Sequence, residues 1–375
     1  MKRRFDSISI LRVLACIGIF ACHIAPVSGA SGIAARIANT GASGVYLFFI
    51  LSGFLLSGEG AFREGRLSPE TYVRFAGKRL RRLLPMYYLV MAAQAAVHTF
   101  ILRDVPPDPG HLYWLRYIFL TNAVIPAPDN FWGNLGATWT VSLFVASSLL
   151  APFALRWVCG GRKTGAAEES GDTGNPGVYG RERKRRVQRA AGLYIALLLL
   201  AGFRERFSVS GTFMCFLYLH YFALGALIRE IAESPGEGTI RTEHAGSIRQ
   251  AAAYAGTAAA GAALLLVLFG STGHFTLVSW GFGLIVLITL PFSVRNKHSL
   301  VFRALTLLDR HSYAVYLVHA AVAEWLYMVK SHIALSGPAV WGAAAVCTII
   351  GTALVTFCEA HIQYLYRPDH RHRAG

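Results

Sequence analysis

Arg12 and His23 are ionisable residues within the first long apolar stretch of the chain, ILRVLACIGIFACH. Such a side chain at the centre of a membrane-spanning helix costs at least ~2.5–3.5 kcal/mol and usually has a function. Eleven positions separate the two residues, so at about 100° per residue both project from one helix face, roughly 16 Å apart along the axis. An imidazole suits general-base catalysis, whereas an arginine can orient a substrate or stabilise oxyanion charge. The structural alternatives are an arginine that snorkels to the interface and a histidine satisfied within the core.

A basic segment follows the second apolar stretch and contains Lys78, Arg79, Arg81 and Arg82. Arg79 and Arg82 are one helical turn apart, and a pair of arginines suits bidentate contacts with phosphate oxygens. The alternative is the general enrichment of Lys and Arg in cytoplasmic connections of membrane proteins. Both interpretations of this segment stay open.

A third group of polar residues lies in the ninth apolar stretch. Ser312, Tyr316 and His319 share one helix face because they are spaced at i, i+4 and i+7. These side chains can contact a substrate, but hydrogen bonds between neighbouring membrane helices are the more ordinary explanation for such residues.

Transmembrane helices are the elements expected to position these residues. Of the 375 residues, 54% are hydrophobic and 15% are charged, with a mean hydropathy of +0.44. A soluble domain has about 25% charged residues. The apolar runs are long enough to cross a bilayer and too long for the strands of a soluble α/β enzyme. We expect an all-α fold, namely a polytopic transmembrane helical bundle of about ten spans. The predicted spans are 8–26, 41–57, 83–102, 136–157, 190–203, 211–228, 250–270, 275–293, 312–329 and 338–360.

The distribution of basic residues predicts that both termini are cytoplasmic. With ten spans, 29 Lys and Arg residues fall on the side of the termini and 6 on the other side, as the positive-inside rule requires. Topology and anionic lipid headgroups also explain the net charge of +16. We therefore expect the lipid bilayer, and no nucleic acid, as the partner of this basic protein.

The chain is predicted to form a single membrane domain, 1–375, with a flexible cytoplasmic loop at about 159–190. That loop is rich in Gly, Ser and charged residues, a composition typical of flexible segments. The six cysteines have no metal-ligand spacing, so we expect no metal.

Four elements of the chain resemble motifs of the acyltransferase-3 family of membrane acyltransferases, and they occur in that family's order. The first is the spacing of Arg12 and His23 in the first span, and the second is GVYLFFILSGFLLS (44–57). The third is the basic segment YVRFAGKRLRRLLPMYY (72–88), and the fourth is LDRHSYAVYLVHA (308–320).

The resemblance implies an enzyme that transfers an acyl group, usually acetyl from acetyl-CoA, to a carbohydrate hydroxyl. The acceptor would be a surface polysaccharide or a lipid-linked sugar, and the location would be the cytoplasmic membrane of a bacterium. His23 would be the general base, and Arg12 would orient the donor or stabilise charge. The family's Arg-x-x-Arg element matches Arg79 and Arg82, which together with Lys78 would bind the phosphates of acyl-CoA. Weaker expected contacts with the acceptor come from Trp139, Ser312, Tyr316 and His319.

One position departs from the family pattern. Many members have an acidic residue five places after the tryptophan that corresponds to Trp139, whereas this chain has Phe144. No role of that carboxylate can be transferred to this chain, and a different substrate subgroup is one explanation. A transporter or flippase of lipid-linked sugars, with Arg12 and His23 on its substrate or proton path, is the alternative function.

Overall fold

The fold is that of a computed structural model that describes residues 6–58, 67–103, 113–123, 138–159, 176–206, 215–232, 275–292 and 297–365. Within these residues every regular element is a helix, which confirms the predicted all-α class. A short 3-10 helix (Gly41–Ser43) joins the helices Gly32–Thr40 and Gly44–Leu56, and a π-helical segment (Val97–Leu102) continues the helix Pro69–Ala96. The α-helices are α1 (Asp6–Ser28), α2 (Gly32–Thr40), α3 (Gly44–Leu56), α4 (Pro69–Ala96), α5 (Tyr113–Ile118), α6 (Trp139–Cys159), α7 (Pro176–Arg206), α8 (Cys215–Ala232), α9 (Phe275–Thr289), α10 (Leu300–His332) and α11 (Gly337–Leu365).

Five helical segments of the described residues are long and apolar enough to cross a membrane. A helix is suited to that task because it satisfies its own backbone hydrogen bonds, which lipid cannot do. The five segments correspond to the predicted spans 8–26, 41–57, 83–102, 136–157 and 338–360. They are Asp6–Ser28, Gly32–Leu56, Pro69–Ile101, Trp139–Val158 and Gly337–Gln363.

The other predicted spans are not established by helix length and composition. Four of them, 190–203, 211–228, 275–293 and 312–329, overlap α7, α8, α9 and α10 in that order. In α9 the apolar part, Val278–Thr289, is shorter than a membrane span. The predicted span 250–270 lies outside the described residues, so the total of ten stays a prediction.

The predicted flexible loop at 159–190 is helical from Pro176 onward, where α7 begins, and residues 160–175 lie outside the described part of the chain. Arg, Lys and Glu, which make the run RERKRR polar, also have high helix propensity. Contacts with α8 hold this helix. Arg183 donates to the carbonyl oxygen of Ile231 at 2.8 Å, and Arg186 Nε lies 3.2 Å from Glu230 Oε2.

Helices α1 and α10 lie side by side and run in the same direction. Near the start of α1, the Ser9 hydroxyl donates to Asp309 Oδ2 at 2.8 Å. Near the end of α1, the carbonyl oxygen of Val27 accepts a hydrogen bond from Lys330 Nζ at 2.7 Å. The contacts therefore advance together along both helices.

Helix α11 runs in the opposite direction to α1 and α10. Its first residue, Gly337, packs on the carbonyl oxygen of Ser28 at the end of α1, and Gly351 packs on Val318 in the middle of α10. The start of α1 and the end of α11 consequently lie at the same end of the bundle, which we call the Asp6 end.

Helices α3 and α8 approach each other closely at two glycines. A Cβ atom on Gly225 would lie 1.9 Å from the carbonyl oxygen of Ile50, and one on Gly53 would lie 2.0 Å from that of Phe222. Small residues allow this close backbone approach, which is a common way to pack helices in membranes.

We expect Gly225→Ala to lower the free energy of unfolding by about 1–3 kcal/mol, because the added methyl group forces α3 and α8 apart. Thermal unfolding of the detergent-purified protein measures the effect. The control is Gly192→Ala in α7, where no described atom lies within 4 Å of an added Cβ atom. Equal unfolding temperatures for both variants would contradict the packing argument.

Candidate active site

The interface between α1 and α10 contains an ion pair that includes Arg12. Arg12 Nη1 lies 2.6 Å from Asp309 Oδ1, and Asp309 is 7% exposed. The hydroxyl of Ser9 donates to the other carboxylate oxygen of Asp309. Asp309 was not predicted as the partner of Arg12, because the ninth span was predicted to begin at residue 312, although a charge inside a span calls for a counter-ion.

His23 lies further along the same interface and faces a second histidine. The ring centroids of His23 and His319 are 5.0 Å apart, and the ring planes are inclined by 70°. Arg12 and His23 therefore both lie against α10, as their common helix face predicts. Their neighbours Asp309 and His319 are ten residues apart on α10, or about 15 Å along its axis.

Tyr316 connects the histidine pair to α6. Its ring centroid lies 5.4 Å from that of His319, and its hydroxyl is 2.5 Å from the hydroxyl of Thr140. Phe48 of α3 packs on the same ring in an edge-to-face arrangement, with centroids 6.4 Å apart. Tyr316 thus lies beside His319 and also joins two helices, so the two roles considered for it are compatible.

Ser312 lies between the ion pair and the histidine pair, but its hydroxyl is engaged within α10. The hydroxyl donates to the carbonyl oxygen of Asp309 at 2.9 Å. The carbonyl oxygen of Ser312 is 3.8 Å from Cys16 Sγ of α1. The contacts of Ser312 are those of a residue that packs two helices together.

The basic segment of α4 lies near the ion-pair end of this interface. The hydroxyl of Tyr313, the residue after Ser312, donates to the carbonyl oxygen of Leu83 at 3.0 Å, which joins α10 to α4 next to Arg82. Arg79 Nε donates to the Ser148 hydroxyl at 3.2 Å. Lys78 and Arg82 are exposed.

Trp139 and Phe144 belong to an aromatic cluster between α3, α6 and α8. Trp139 packs on Tyr218 with ring centroids 4.8 Å apart. Phe144 stacks on Phe49 with centroids 4.2 Å apart and planes inclined by 17°. A carboxylate in place of Phe144 would be buried against an aromatic ring, which is costly without a partner. The phenylalanine at position 144, in place of the family's acidic residue, therefore fits an apolar core position.

A second buried polar cluster joins α4 to α10. Glu324 Oε1 lies 3.3 Å from His98 Nε2, and the Gln94 amide donates to the other carboxylate oxygen. His98 and Gln94 are each 2% exposed. Among the described residues, no group of three or more His, Cys, Asp or Glu side chains is arranged to hold a metal ion.

The apolar helices, with an ion pair and a histidine pair between α1 and α10, define a multi-pass membrane protein with an internal polar site. Residues 5–357 match the family described as acyltransferase domain, the acyltransferase-3 family. The chain therefore belongs to this family, which confirms the resemblance seen in the four sequence motifs.

One characterised relative is similar over part of the chain. The acyltransferase MdmB of Streptomyces mycarofaciens is 30% identical over 163 residues, which are 41% of this chain and 40% of that protein. The matched region therefore covers less than half of the length of this relative. No solved structure matches the chain.

Proposed function

We propose that this protein is an acyltransferase that moves an acyl group, acetyl in the simplest case, from acyl-CoA to a hydroxyl of a carbohydrate. The acceptor class is a surface polysaccharide or a lipid-linked sugar, and the site of action is the bacterial cytoplasmic membrane. The observation that carries the proposal is the position of His23, a candidate general base beside the buried His319 in the α1–α10 interface. Membership of the acyltransferase-3 family supports the reaction type.

In the proposed reaction His23 accepts the proton of the sugar hydroxyl while the hydroxyl oxygen bonds to the thioester carbonyl carbon. The carbon–sulfur bond then breaks, and the leaving thiolate takes the proton back from the imidazolium of His23. The products are an ester and the free thiol of coenzyme A. A covalent acyl-histidine intermediate is the second route that an imidazole permits.

Arg12 is proposed to orient the donor rather than to stabilise the oxyanion. Its partner Asp309 lies about 15 Å along α10 from His319. A guanidinium at that distance does not reach a carbonyl group that is attacked beside His23. An acyl-CoA donor has an extended pantetheine arm, which can pass Arg12 and present its thioester at His23.

We also propose ten spans with both termini in the cytoplasm. In support, α1 starts and α11 ends at the Asp6 end of the bundle, and basic residues lie at that end. Lys297 Nζ is 3.4 Å from Asp6 Oδ2, and Arg229 lies over the ring of Phe54 near the end of α3. The positive-inside rule then assigns this end to the cytoplasm, where acyl-CoA is present.

The exposed arginine Arg82, with Arg79 and Lys78, is proposed to bind the phosphates of the donor. We expect Arg82→Ala to raise the Kd for acyl-CoA roughly tenfold, because one charge-assisted hydrogen bond is worth about 1.5–3 kcal/mol. The double variant Arg79→Ala/Arg82→Ala is expected to weaken binding further. Calorimetric titration of the purified protein with acetyl-CoA measures both.

The control for donor binding is Arg303→Ala, which removes another exposed arginine from the first turns of α10. General attraction to a positive surface predicts similar losses for Arg82→Ala and Arg303→Ala. Specific phosphate binding predicts a loss for Arg82→Ala alone. Unchanged affinity in the double variant would exclude this segment as the phosphate site.

Acyl transfer itself is tested with the purified protein in lipid nanodiscs, labelled acetyl-CoA and a panel of carbohydrate acceptors. We expect acceptor-dependent release of free thiol and an equal amount of labelled ester. Transport of a lipid-linked sugar without any acylation would contradict the proposal and support a transporter. Mass spectrometry of cell-envelope glycans from a deletion strain then identifies the acyl group and the acceptor from one mass difference.

A further inference from the structure

His319 is a buried histidine whose hydrogen bonding defines one tautomer. Its side chain is 2% exposed, and Nδ1 lies 3.2 Å from the carbonyl oxygen of Val315, one turn earlier in α10. A carbonyl oxygen only accepts hydrogen bonds, so Nδ1 carries the proton and the neutral ring presents Nε2 as an acceptor.

That acceptor has no hydrogen-bond partner within the part of the chain that the structure describes. A buried polar atom without a partner costs about 1–3 kcal/mol, so such an atom calls for an explanation. The imidazole ring of His23 is a neighbour of the His319 ring, and the two ring centroids are 5.0 Å apart in an edge-to-face arrangement. A centroid separation of 5.0 Å is compatible with a ring nitrogen of His23 at the ~2.7–3.2 Å of a hydrogen bond from His319 Nε2, and catalytic hydrogen bonds often shorten only when substrate is bound.

We propose that His319 is the positioning residue for His23, whose ring N–H donates to His319 Nε2 in the working enzyme. This inference rests on the proposed role of His23 as the general base. The hydrogen bond selects one tautomer of His23, and the other ring nitrogen of His23 then presents its lone pair to the acceptor hydroxyl.

The arrangement has the logic of a base oriented by a third group, in which the orienting group holds one N–H of the imidazole. When His23 accepts the hydroxyl proton, its imidazolium keeps the hydrogen bond to His319 Nε2. The proton later passes from His23 to the leaving thiolate. His319 gains and loses no proton, so the reaction balances as written for His23 alone.

Two substitutions at His319 separate positioning from packing. In His319→Asn the amide nitrogen replaces Nδ1, keeps the bond to Val315 and removes the acceptor at Nε2. In His319→Gln the amide oxygen takes the place of Nε2 as an acceptor, but the bond to Val315 is lost. Positioning predicts that His319→Asn loses at least ~10²-fold in kcat with little change in either KM, and that His319→Gln retains more activity. Packing of α10 predicts the opposite order.

The double variant His23→Ala/His319→Asn supplies a further test, because residues that act as a unit are not additive. We expect it to be no less active than His23→Ala. His220→Gln is the control, since His220 is also buried but lies in α8, and we expect its kcat to stay within a few-fold of the wild type. Equal or greater activity of His319→Asn than of His319→Gln would overturn the inference.

A readout that needs no catalysis keeps this inference distinct from the proposed function. In protein with 15N-labelled histidines, the ring nitrogen shifts report the tautomer of each histidine, and the variants His23→Gln and His319→Gln assign the two signals. We expect a single tautomer of His23 in the wild type and a mixture in His319→Asn. The same mixture in both proteins would refute positioning, whereas a single tautomer without acyl transfer from acyl-CoA would refute only the proposed function.

Discussion

His23→Ala is expected to lower acceptor-dependent acyl transfer by about 10²–10⁴-fold, the usual contribution of a positioned general base. A sugar hydroxyl is a poor nucleophile until its proton is removed, and alanine has no group that accepts a proton. The ring of His23 lies beside His319 in the α1–α10 interface, and no salt bridge of His23 is seen among the described residues. We therefore expect the loss in kcat, with the unfolding temperature close to that of the wild type.

Release of free thiol from acetyl-CoA, followed in lipid nanodiscs at saturating acceptor, measures this effect. His332→Ala is the matched control, because His332 is an exposed histidine at the last residue of α10. Transfer by His23→Ala at more than a tenth of the wild-type rate would remove His23 from the role of general base. A loss of transfer that accompanies unfolding would instead assign His23 to packing.

Asp309→Ala is expected to lower the free energy of unfolding by about 2–3 kcal/mol. Loss of one partner from a fully buried ion pair costs about 3–5 kcal/mol. The smaller value applies here because the Arg12 side chain is 22% exposed, although that of Asp309 is 7% exposed. The hydroxyl of Ser9 loses its acceptor as well. Chemical unfolding of the purified protein in mixed micelles measures the change.

The double variant Arg12→Leu/Asp309→Leu separates the structural role of Arg12 from a role in catalysis. Removal of both charges is often neutral or stabilising, so we expect the double variant to recover most of the stability lost in Asp309→Ala. Because Arg12 is proposed to orient the donor, we expect the double variant to be inactive in acyl transfer. Recovery of both stability and acyl transfer would show that Arg12 serves only as the partner of Asp309.

Lys297→Ala is the control for the ion-pair experiment. Its partner Asp6 is buried, but the Lys297 side chain is 58% exposed. Exposed ion pairs contribute about 0–1 kcal/mol, so this substitution is expected to change stability much less than Asp309→Ala. Equal effects of the two substitutions would indicate that the Arg12–Asp309 ion pair contributes no more to stability than the pair of Lys297 and Asp6.

The fold class and several helices follow from the order of residues alone. A bilayer forces each apolar run to satisfy its own backbone hydrogen bonds, and composition over about twenty residues is enough to predict a helix there. The predicted spans 8–26, 136–157 and 338–360 accordingly agree with α1, α6 and α11 within a few residues. Within the predicted loop, residues 176–190 belong to the helix α7, and contacts with α8 support this helix.

Helical periodicity also predicted the common face of Arg12 and His23, because spacing on one helix is a local property. The partners of these residues were decided only by the tertiary structure. Asp309 and His319 lie about three hundred positions away in the chain, and no local pattern selects which helix packs against α1. A buried charge or imidazole acquires its role from the group that burial places against it, and that group is determined by the packing of helices that are distant in sequence.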